Sequence, residues 1–374
     1  AAGGAIETPA DTVLDVAYVP KDQQLVSAGS DGLARLWQMP LVAARSIDAR
    51  NSVAHSSASG DRTKLATVGS DKIVRVWNLA DGKLVKELPA AEADIVSLAL
   101  NQDGGKLAIV LANKTARVLN VADGKELKKF ETLPSPTSAL AIRPDGTQVA
   151  IAGEDKVIRI LNVADGKTVK ELKGHGGKVE ALAYGAKDAN LLFSGSADKS
   201  IKLWNINEGK STRDFNGHGD SVIAIATAAD GSKLVTGSAD KTARVWNIAD
   251  GKSIATLSAH SGPVSALDIS RDGTRIATGS ADKTARVWDV ATGRELQVDS
   301  SFGDPLTGIV YLSDNKAVAS IGTGKAVRVW TPSAIRVFAG HQGPIRAIAV
   351  HPNGTHLYTG AADKTVKVFD MAKG

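Results

Sequence analysis

The sequence predicts an all-β protein made of nine similar units. Three observations carry this prediction. A pair of apolar or aromatic residues ends a basic strand at a regular interval, short β-rich runs alternate with turn residues inside each interval, and one stretch of ten residues occurs twice, at 237–246 and 279–288. The intervals measure 39 to 43 residues, and the strand-ending residues are 37, 77, 119, 161, 204, 246, 288, 330 and 369. Self-similarity at this length is typical of repeat architectures.

Each unit predicts four short antiparallel strands. In the unit that begins at His260, residues 264–270, 275–278 and 284–289 are predicted strands, and a fourth lies near Glu295. Asp-Gly and Asn-Gly pairs at the sharp turns supply the left-handed backbone conformations that hairpins require. Because a small four-stranded sheet cannot bury both of its faces alone, we expect the units to stack radially. The sequence therefore predicts a single closed β-propeller of four-stranded antiparallel blades spanning residues 1–374.

Nine strand-ending motifs predict nine blades. The last unit stops where its fourth strand should begin, and alignment of the units places residues 3–6 opposite 254–257. We therefore expect the N-terminal segment, residues 1–10, to complete the last blade and to remove exposed sheet edges. The alternative is an eight-bladed ring, or a distorted ring between eight and nine blades, with one unit displaced. The polar run 52–58 and the eighth unit are the candidates for displacement.

These residues and their period resemble those of WD40 repeats over essentially the whole chain. The resemblance implies a β-propeller with a central channel. It also implies a structural hydrogen-bond network that links a His before the first strand, a Ser or Thr in the second, an Asp in the next turn and the Trp of the third. The even units with Ala-Asp-Gly-Lys hairpins look like those of prokaryotic WD-repeat proteins, in which such a ring is often one module of a longer chain.

Three units carry all four residues of this network, and a fourth unit carries three of them. A buried Asp, His or indole N–H needs a hydrogen-bond partner, so we expect these positions to be structural. The sets are His175, Ser194, Asp198 and Trp204; His218, Thr236, Asp240 and Trp246; His260, Thr278, Asp282 and Trp288; and His341, Thr359 and Asp363, followed by Phe369.

The other units depart from the pattern. The first two keep Ser27 with Asp31 and Thr67 with Asp71 but have no matching His. The third and fourth have Leu in place of Trp, and the eighth has Gly324 where the Asp is expected. We expect these blades to be held mainly by apolar packing and to be the softer part of the ring.

A lysine follows the network Asp position in eight of the nine units. The resemblance implies that these turns, between the second and third strands, lie on one face around the channel mouth, where family members commonly bind partners. A ring of lysines would favour acidic partners, although lysine is also a comfortable turn residue that neighbouring acids can neutralise. The candidate binding face comprises Lys114, Lys156, Lys199, Lys241, Lys283 and Lys364.

The composition excludes several classes of site. The chain has no cysteine, which removes disulfides, thiolate metal sites and cysteine nucleophiles. Four of the seven histidines occupy network positions, and no metal-binding His spacing, nucleophile elbow or phosphate-binding loop occurs. We therefore predict no catalytic residue, no metal and no cofactor. The net charge of +5 is spread along the chain, so nucleic acid is not an expected partner.

We predict a non-enzymatic scaffold for protein or peptide partners, with acidic surfaces favoured, that works as a monomeric ring and as one module of a larger protein. Two alternatives stay open: a propeller that binds a ligand in its channel, and a structural or engineered repeat protein without a native ligand. Polar residues converging on the channel wall would favour the ligand, and a wall of small residues would favour the scaffold. No apolar run is long enough to cross a membrane, and we expect a soluble protein, either cytoplasmic or exported and processed.

Overall fold

The computed structural model describes residues 12–19, 23–39 and 44–372, apart from the side chain of residue 335. This part of the chain forms 35 β-strands and no α-helix. The strands assemble into nine antiparallel sheets, eight with four strands and one with three. The predicted all-β class and the four-stranded antiparallel blades are therefore confirmed. We number the blades 1 to 9 by the unit that supplies their first three strands.

Turn chemistry determines where the strands end. In blade 7 the Asp272 carboxylate accepts the backbone N–H of Thr274, and Gly273 between them has a φ of +66°. A short polar side chain that bonds the backbone two residues ahead, with glycine in the left-handed region, reverses the chain within a few residues. The same Asp–Gly arrangement recurs at the other end of the hairpins, as at Asp250, and the sequence therefore specifies both turn positions.

Blades 3 to 7 each consist of four strands that follow one another in the sequence. Blade 3 contains β9 (Ile95–Leu100), β10 (Lys106–Leu111), β11 (Ala116–Asn120) and β12 (Glu126–Phe130), and blade 4 contains β13 (Thr137–Ile142), β14 (Gln148–Gly153), β15 (Ile158–Asn162) and β16 (Thr168–Leu172). Blade 5 contains β17 (Val179–Tyr184), β18 (Leu191–Ser196), β19 (Ile201–Asn205) and β20 (Lys210–Phe215). Blade 6 contains β21 (Val222–Thr227), β22 (Lys233–Ser238), β23 (Ala243–Asn247) and β24 (Ser253–Leu257), and blade 7 contains β25 (Val264–Ile269), β26 (Arg275–Ser280), β27 (Ala285–Asp289) and β28 (Glu295–Asp299).

The remaining four blades include two whose fourth strand comes from a distant part of the chain. Blade 2 contains β5 (His55–Ala58), β6 (Lys64–Val68), β7 (Val74–Asn78) and β8 (Leu84–Glu87). Blade 8 contains β29 (Leu306–Tyr311), β30 (Val318–Gly322), β31 (Ala326–Trp330) and, from the N-terminal side, β4 (Arg45–Asp48). Blade 1 contains β1 (Val13–Val19), β2 (Gln24–Gly29), β3 (Ala34–Gln38) and, from the C-terminal side, β32 (Ala334–Phe338). Blade 9 contains β33 (Ile345–Val350), β34 (His356–Ala361) and β35 (Val366–Asp370).

Seven of the nine blades surround one channel. Their first strands contact one another in the cyclic order β5, β9, β13, β17, β21, β25, β29 and back to β5. All seven of these strands contribute residues to the channel wall. The junction between blades 8 and 2 is close, because a Cβ added to Gly308 would lie 2.3 Å from Oγ of Ser56. Blades 2 to 8 therefore form a closed ring.

Two exchanged strands close this ring. β4 follows blade 1 in the sequence but pairs with β31 of blade 8, and β32 follows blade 8 but pairs with β3 of blade 1. Ile47 of β4 is buried in a cluster with Val327 of blade 8 and Trp77 of blade 2. Blades 1 and 9 contact each other through β1 and β33, and their β32 lies against β28 of blade 7. They form a two-blade unit beside the ring.

The predicted nine-bladed ring is corrected accordingly to a seven-bladed ring with two further blades beside it. The displaced units are the first and the ninth, whereas the suspected polar run 52–58 and the eighth unit both remain in the ring. The second unit keeps its place through hydroxyl bonds to its neighbour, since Ser57 Oγ accepts the N–H of Leu100 on blade 3. The expected closing segment, residues 3–6, lies outside the described residues.

Apolar packing between the faces of consecutive blades forms the core. We call the face that packs on the next blade the leading face, and the opposite face the trailing face. The leading face of blade 7, which includes Ala277, Ala285 and Val287, packs on blade 8 near Trp330. Its trailing face includes Leu267 and packs on blade 6. Each ring blade is therefore buried on both faces by its two neighbours.

The exchange of fourth strands can be tested by cross-linking in this cysteine-free chain. Ala326 lies opposite Asp48 in the β31–β4 pairing, and both residues are exposed. Directly opposed strand residues fall within the Cα separation that a disulfide spans. We expect the double variant Ala326→Cys with Asp48→Cys to form an intramolecular disulfide under mild oxidation, seen as a mobility shift that dithiothreitol reverses. Free thiols in the folded double variant, measured against each single variant, would contradict the exchange.

Candidate interaction site

A buried network links the second strand, third strand and preceding loop of blade 7. Trp288 Nε1 donates to Thr278 Oγ1 at 2.8 Å, and that hydroxyl lies 2.8 Å from His260 Nε2. His260 Nδ1 lies 2.8 Å from Asp282 Oδ2, which also accepts the backbone N–H of Ser261 at 2.9 Å. With a neutral His protonated on Nδ1, each buried donor meets an acceptor. The network therefore ties the loop before the blade to its second and third strands.

The structure brings the other predicted sets together in the same way. In blade 5 the His175 Nδ1 to Asp198 Oδ2 distance is 3.0 Å, and in blade 6 the His218 Nδ1 to Asp240 Oδ2 distance is 2.9 Å. In blade 9 His341 lies 2.9 Å from Asp363. The hydroxyl and indole partners complete these sets: Ser194 with Trp204, Thr236 with Trp246, and Thr359, which has Phe369 on the third strand in place of an indole donor.

The network sets the charge state of its members. Burial alone would raise the pKa of Asp240, but hydrogen bonds from Thr242, the Gly219 N–H and His218 outweigh it and lower the pKa to about 2. Burial lowers the pKa of His218, and the neighbouring Asp240 only partly offsets this. The pair therefore consists of a carboxylate and a neutral imidazole at neutral pH.

Arginine takes the place of the missing histidine in blades 1, 2 and 4. In blade 1 Arg35 Nη2 lies 2.7 Å from Asp31 Oδ2, and in blade 2 Arg75 Nη1 lies 2.7 Å from Asp71 Oδ2. Blade 4 shows the same pairing between Arg159 and Asp155 at 2.6 Å. The first two blades also keep their indole bonds, from Trp37 to Ser27 and from Trp77 to Thr67. In addition to the expected apolar packing, these blades therefore have a half-buried ion pair that binds the turn to the third strand.

Blades 3 and 8 each retain part of the pattern. In blade 8 Trp330 Nε1 donates to Ser320 Oγ at 3.0 Å, although Gly324 replaces the Asp. In blade 3 Asn113 accepts the backbone N–H of Thr115, and Arg117 pairs with Glu92 from the preceding loop. The Arg or Lys of the third strand was visible in every unit of the sequence. Its pairing with the turn Asp where the His is missing is the signal that sequence reasoning did not use.

The turn lysines adopt a left-handed backbone. Lys156, Lys199, Lys241 and Lys283 have φ between 65° and 71°, and Gly32 occupies the same position in blade 1 with a φ of +77°. Each lysine follows a network Asp whose carboxylate accepts the N–H of the residue after the lysine, as Asp282 does from Thr284. The lysine is thus held at the tip of an Asx turn, and its backbone direction is fixed by the network beneath it.

Five of the six candidate lysines lie on the ring and point to solvent. Lys114, Lys156, Lys199, Lys241 and Lys283 are exposed. None of them pairs with a carboxylate among the residues that the structure describes, whereas the equivalent Lys72 of blade 2 lies 3.1 Å from Asp94. The sixth, Lys364, is also exposed, but it belongs to blade 9, which stands outside the ring. Its predicted place on the same face as the other five is therefore corrected. We call the turns that carry the five ring lysines the lysine rim.

The channel changes character along its length. The mouth at the lysine rim opens into a cavity of about 250 Å³ that is lined by hydroxyl side chains, including Ser97, Ser138, Ser265 and Thr307, together with Glu180. The opposite mouth opens into a cavity of about 630 Å³. Between the two cavities, apolar side chains from the middle of the first strands contribute to the channel wall. They are Leu98, Leu140, Leu182, Ile225, Leu267 and Ile309.

At the mouth of the larger cavity, a salt bridge joins blade 2 to blade 7 past blade 8. Arg62 occupies a left-handed turn position, with a φ of +63°, where blades 3, 4, 6, 7 and 9 have glycine. Its Nη2 lies 3.1 Å from Asp268 Oδ1 and 2.6 Å from the Ile269 carbonyl oxygen. Asp268 Oδ2 accepts the N–H of Tyr311 on blade 8 at 2.8 Å. These bonds join three blades at the junction where the ring closes.

The described residues form neither a metal-binding cluster nor a membrane-spanning helix. No group of three or more His, Asp or Glu side chains is placed to hold a metal ion in this part of the chain. Nor does any helix in the described ranges have the length and apolar character to cross a membrane.

Family models for the WD40 repeat (WD domain, G-beta repeat) match residues 5–38, 166–205, 209–247, 251–289 and 332–370, about half of the chain. The chain belongs to the WD40 family. This confirms the resemblance inferred from the strand-ending motifs. The match at 251–289 begins with a fourth strand, β24, and ends with the third strand of the next blade, β27. One family repeat therefore spans two neighbouring blades, which is why a fourth strand can join a distant blade.

Curated relatives of this WD40 protein match over a single repeat of 39 residues. They include nuclear distribution protein PAC1 of Scheffersomyces stipitis at 51% identity. Pre-mRNA-splicing factor PRP46 of Yarrowia lipolytica and pleiotropic regulator 1 of Bos taurus both match at 49% identity. Each match covers 10% of this chain and 7%, 9% and 8% of the respective relative. The chain thus spans less than a tenth of the length of the curated relatives it matches.

The buried hydroxyl of the WD40 network predicts a large effect of one substitution. Thr278→Val leaves both Trp288 Nε1 and His260 Nε2 without their partner in a fully buried site, which should lower the free energy of unfolding by about 2 to 4 kcal/mol. The exposed Thr256 on β24 offers a matched control, and Thr256→Val should change stability by less than about 0.5 kcal/mol. Urea denaturation followed by tryptophan fluorescence measures both, and equal effects would contradict the network's role.

The network also predicts the direction of the pH dependence. The Asp240 carboxyl has a pKa of about 2 when folded against a usual value of 3.8, so it stabilises the fold above pH 4 and loses that contribution as the pH falls toward 2. The difference between the folded and the usual pKa of Asp240 corresponds to about 2 kcal/mol of stability. The pKa of His218 is lowered on folding, so its protonation in the unfolded chain lowers stability once the pH falls below 6.5.

We therefore expect the free energy of unfolding to decline in two stages on acidification, first below pH 6.5 and then between pH 4 and 2. Urea titrations across this range provide the measurement. In Asp240→Asn the second decline should be shallower than in the unsubstituted chain. A stability that rises on acidification would show that the pairs carry a different charge state.

Proposed function

We propose that this WD40 ring is a non-enzymatic protein-interaction scaffold that binds acidic segments of partner proteins at the lysine rim. The observation that carries the proposal is the set of five exposed, unpaired lysines placed at equivalent turn positions of consecutive blades. Consecutive placement matters because it presents the charges to one extended ligand. The WD40 relatives support a binding role, since their names describe nuclear distribution, splicing and regulation.

The charge of the rim supports an acidic partner. The network carboxylates beside the lysines are engaged inward: Asp282 Oδ2 lies against His260 Nδ1 and accepts the Ser261 N–H, and Oδ1 accepts from Thr284. The ammonium groups, in contrast, have no carboxylate partner among the described residues. A partner that approaches this face therefore meets the lysines first, which would speed its encounter at low salt.

The rigidity of the turns supports a scaffold role. A left-handed Asx turn held by the network beneath it loses little freedom when a partner binds, so less of the binding energy is spent on ordering the loop. The hydroxyl side chains and Glu180 at the rim mouth are the feature that favours a channel ligand. Apolar leucine and isoleucine side chains contribute to the wall between the two cavities and oppose a polar ligand there. We also propose, from the resemblance of its hairpins to those of modular WD-repeat proteins, that the ring is one module of a larger protein.

Charge reversal on the two faces of the ring tests the lysine rim. The test variant carries Glu at Lys156, Lys199, Lys241 and Lys283, and the matched control carries Glu at Lys83, Lys125, Lys167 and Lys252. These control lysines are exposed and follow the Asp-Gly turns between the third and fourth strands, on the opposite face. Both variants change the net charge equally.

The measurement is the anisotropy of a labelled oligoglutamate peptide at about 50 and about 150 mM salt. We expect the unsubstituted chain and the control to bind the peptide, with weaker binding at higher salt, and the test variant to bind at least about tenfold less tightly. An equal loss of peptide binding in both variants would show that only the net charge matters, and it would overturn the proposed site. Unchanged peptide binding in the test variant would show that the lysines serve only as turn residues.

A further inference from the structure

The exposed apolar residues of this protein concentrate on the two-blade unit. Ten large hydrophobic residues are exposed in the described part of the chain, and six of them lie on blades 1 and 9. The six are Val13, Val16 and Tyr18 of β1, Tyr358 of β34, and Val366 and Val368 of β35. The other four lie on fourth strands of ring blades. Apolar residues exposed together on one part of a molecule often mark an interaction site.

On blade 9 these residues occupy leading-face positions. Val368 lies opposite Tyr358, as Val287 lies opposite Ala277 in blade 7. Val287 is fully buried by blade 8, whereas Val368 is 54% exposed. Val366 corresponds in the same way to the buried Ala285. Blade 9 therefore presents the face that, in the ring, always meets a following blade.

On blade 1 the exposed residues occupy trailing-face positions. Val16 lies opposite Ser27, as Leu267 lies opposite Thr278 in blade 7. Leu267 is 9% exposed because blade 6 covers it, whereas Val16 is 57% exposed. Along β1, blade 1 therefore presents part of the face that, in the ring, meets a preceding blade.

Between blades 1 and 9 the ordinary inter-blade contact is already made. The leading face of blade 1, with Ala34 and Leu36, packs on Ile345 and Leu357 of blade 9. A carboxylate of β1, Asp15 Oδ2, accepts the N–H of Ile348 on β33 at 2.9 Å, just as Asp268 on β25 accepts from the next blade in the ring. The unit thus consists of two consecutive blades in the arrangement of the seven-bladed ring. The leading face of blade 9 and the β1 side of the trailing face of blade 1 are uncovered, whereas Trp37, on the third-strand side of that trailing face, is buried in a cluster with Leu296 of blade 7.

We propose that the two-blade unit belongs to a second ring and that its outer faces dock further four-stranded WD-type blades joined to this chain. The inference rests on the proposal that the ring is one module of a larger protein, and it is independent of the lysine rim. In a second ring with the geometry of the first, the unit would supply two of seven blades.

A second copy of the chain fits this geometry less well. Each copy contributes two blades, so a ring built from copies alone has an even number of blades, whereas the shared inter-blade geometry closes with seven. Docking of the leading face of one copy on the trailing face of the next would otherwise continue as an open filament. Further blades from added repeats can cover the exposed faces and can bring the second ring to seven blades.

The test extends the chain with a copy of its own repeats. Residues 206–299, placed directly after Asp370, supply a fourth strand and then copies of blades 6 and 7. Because the chain has no cysteine, Val368→Cys and Val16→Cys, introduced separately, report the exposure of the two faces through their rate of thiol labelling. The matching exposures of the two valines make Val16→Cys an internal control, since the extension should cover only blade 9.

We expect the extension to slow labelling of Val368→Cys by at least about tenfold and to leave labelling of Val16→Cys unchanged. An extension that unfolds cooperatively but leaves Val368→Cys labelling unchanged would overturn the proposal. So would self-association of the unextended chain, measured by light scattering, that Val368→Glu abolishes and Val85→Glu on the ring does not, because the occupant would then be a second copy. Neither result bears on peptide binding at the lysine rim.

Discussion

The pairing of two short strands, β4 with β31 and β32 with β3, determines the architecture of the whole molecule. A blade with only three strands leaves an edge that another strand can pair with, and the strand that fills it decides which ring the blade joins. Since β4 leads directly into blade 2, its pairing with blade 8 joins the two ends of a seven-bladed ring. The same event frees β3 to take β32, which leads into blade 9. One exchange therefore produces both the closed ring and the two-blade unit.

The junction created by this exchange is reinforced by a salt bridge that spans three blades. Arg62 reaches over blade 8 to Asp268 of blade 7, and Asp268 in turn accepts a backbone N–H of blade 8. Burial raises the pKa of Asp268, and Arg62 opposes that rise. Truncating either member would leave the other charge poorly solvated, which makes such a pair a device for fixing one arrangement more than a source of net stability.

The repeats, their four-stranded form and their turns could be predicted from the sequence because each depends on local chemistry. The residue types found at Trp288, Thr278 and Asp282 recur at fixed spacing in other units, and each Asp-Gly turn depends on two adjacent residues. The number of blades in the ring could not be predicted in this way. β4 and β32 both follow a third strand at the usual distance, and their sequences do not distinguish a neighbouring partner strand from one almost 300 residues away. Backbone pairing is nearly indifferent to sequence, so the choice rests on the packing of whole blades.

The arginine pairs were missed for a related reason. Arg35 and Arg75 carry no distinctive spacing, because a basic residue stands at that position in every unit; only the absence of a His in the preceding loop changes its partner. In both kinds of blade the turn Asp is hydrogen-bonded from within, by a neutral imidazole or by a guanidinium. The residue after it is then free to present its own side chain, in a backbone conformation fixed by the Asp. The uniform lysine rim thus depends on a turn side chain, Asp in blades 4 to 7 and Asn113 in blade 3, whose partner varies from blade to blade. The outer charge pattern can therefore stay constant while the interior changes.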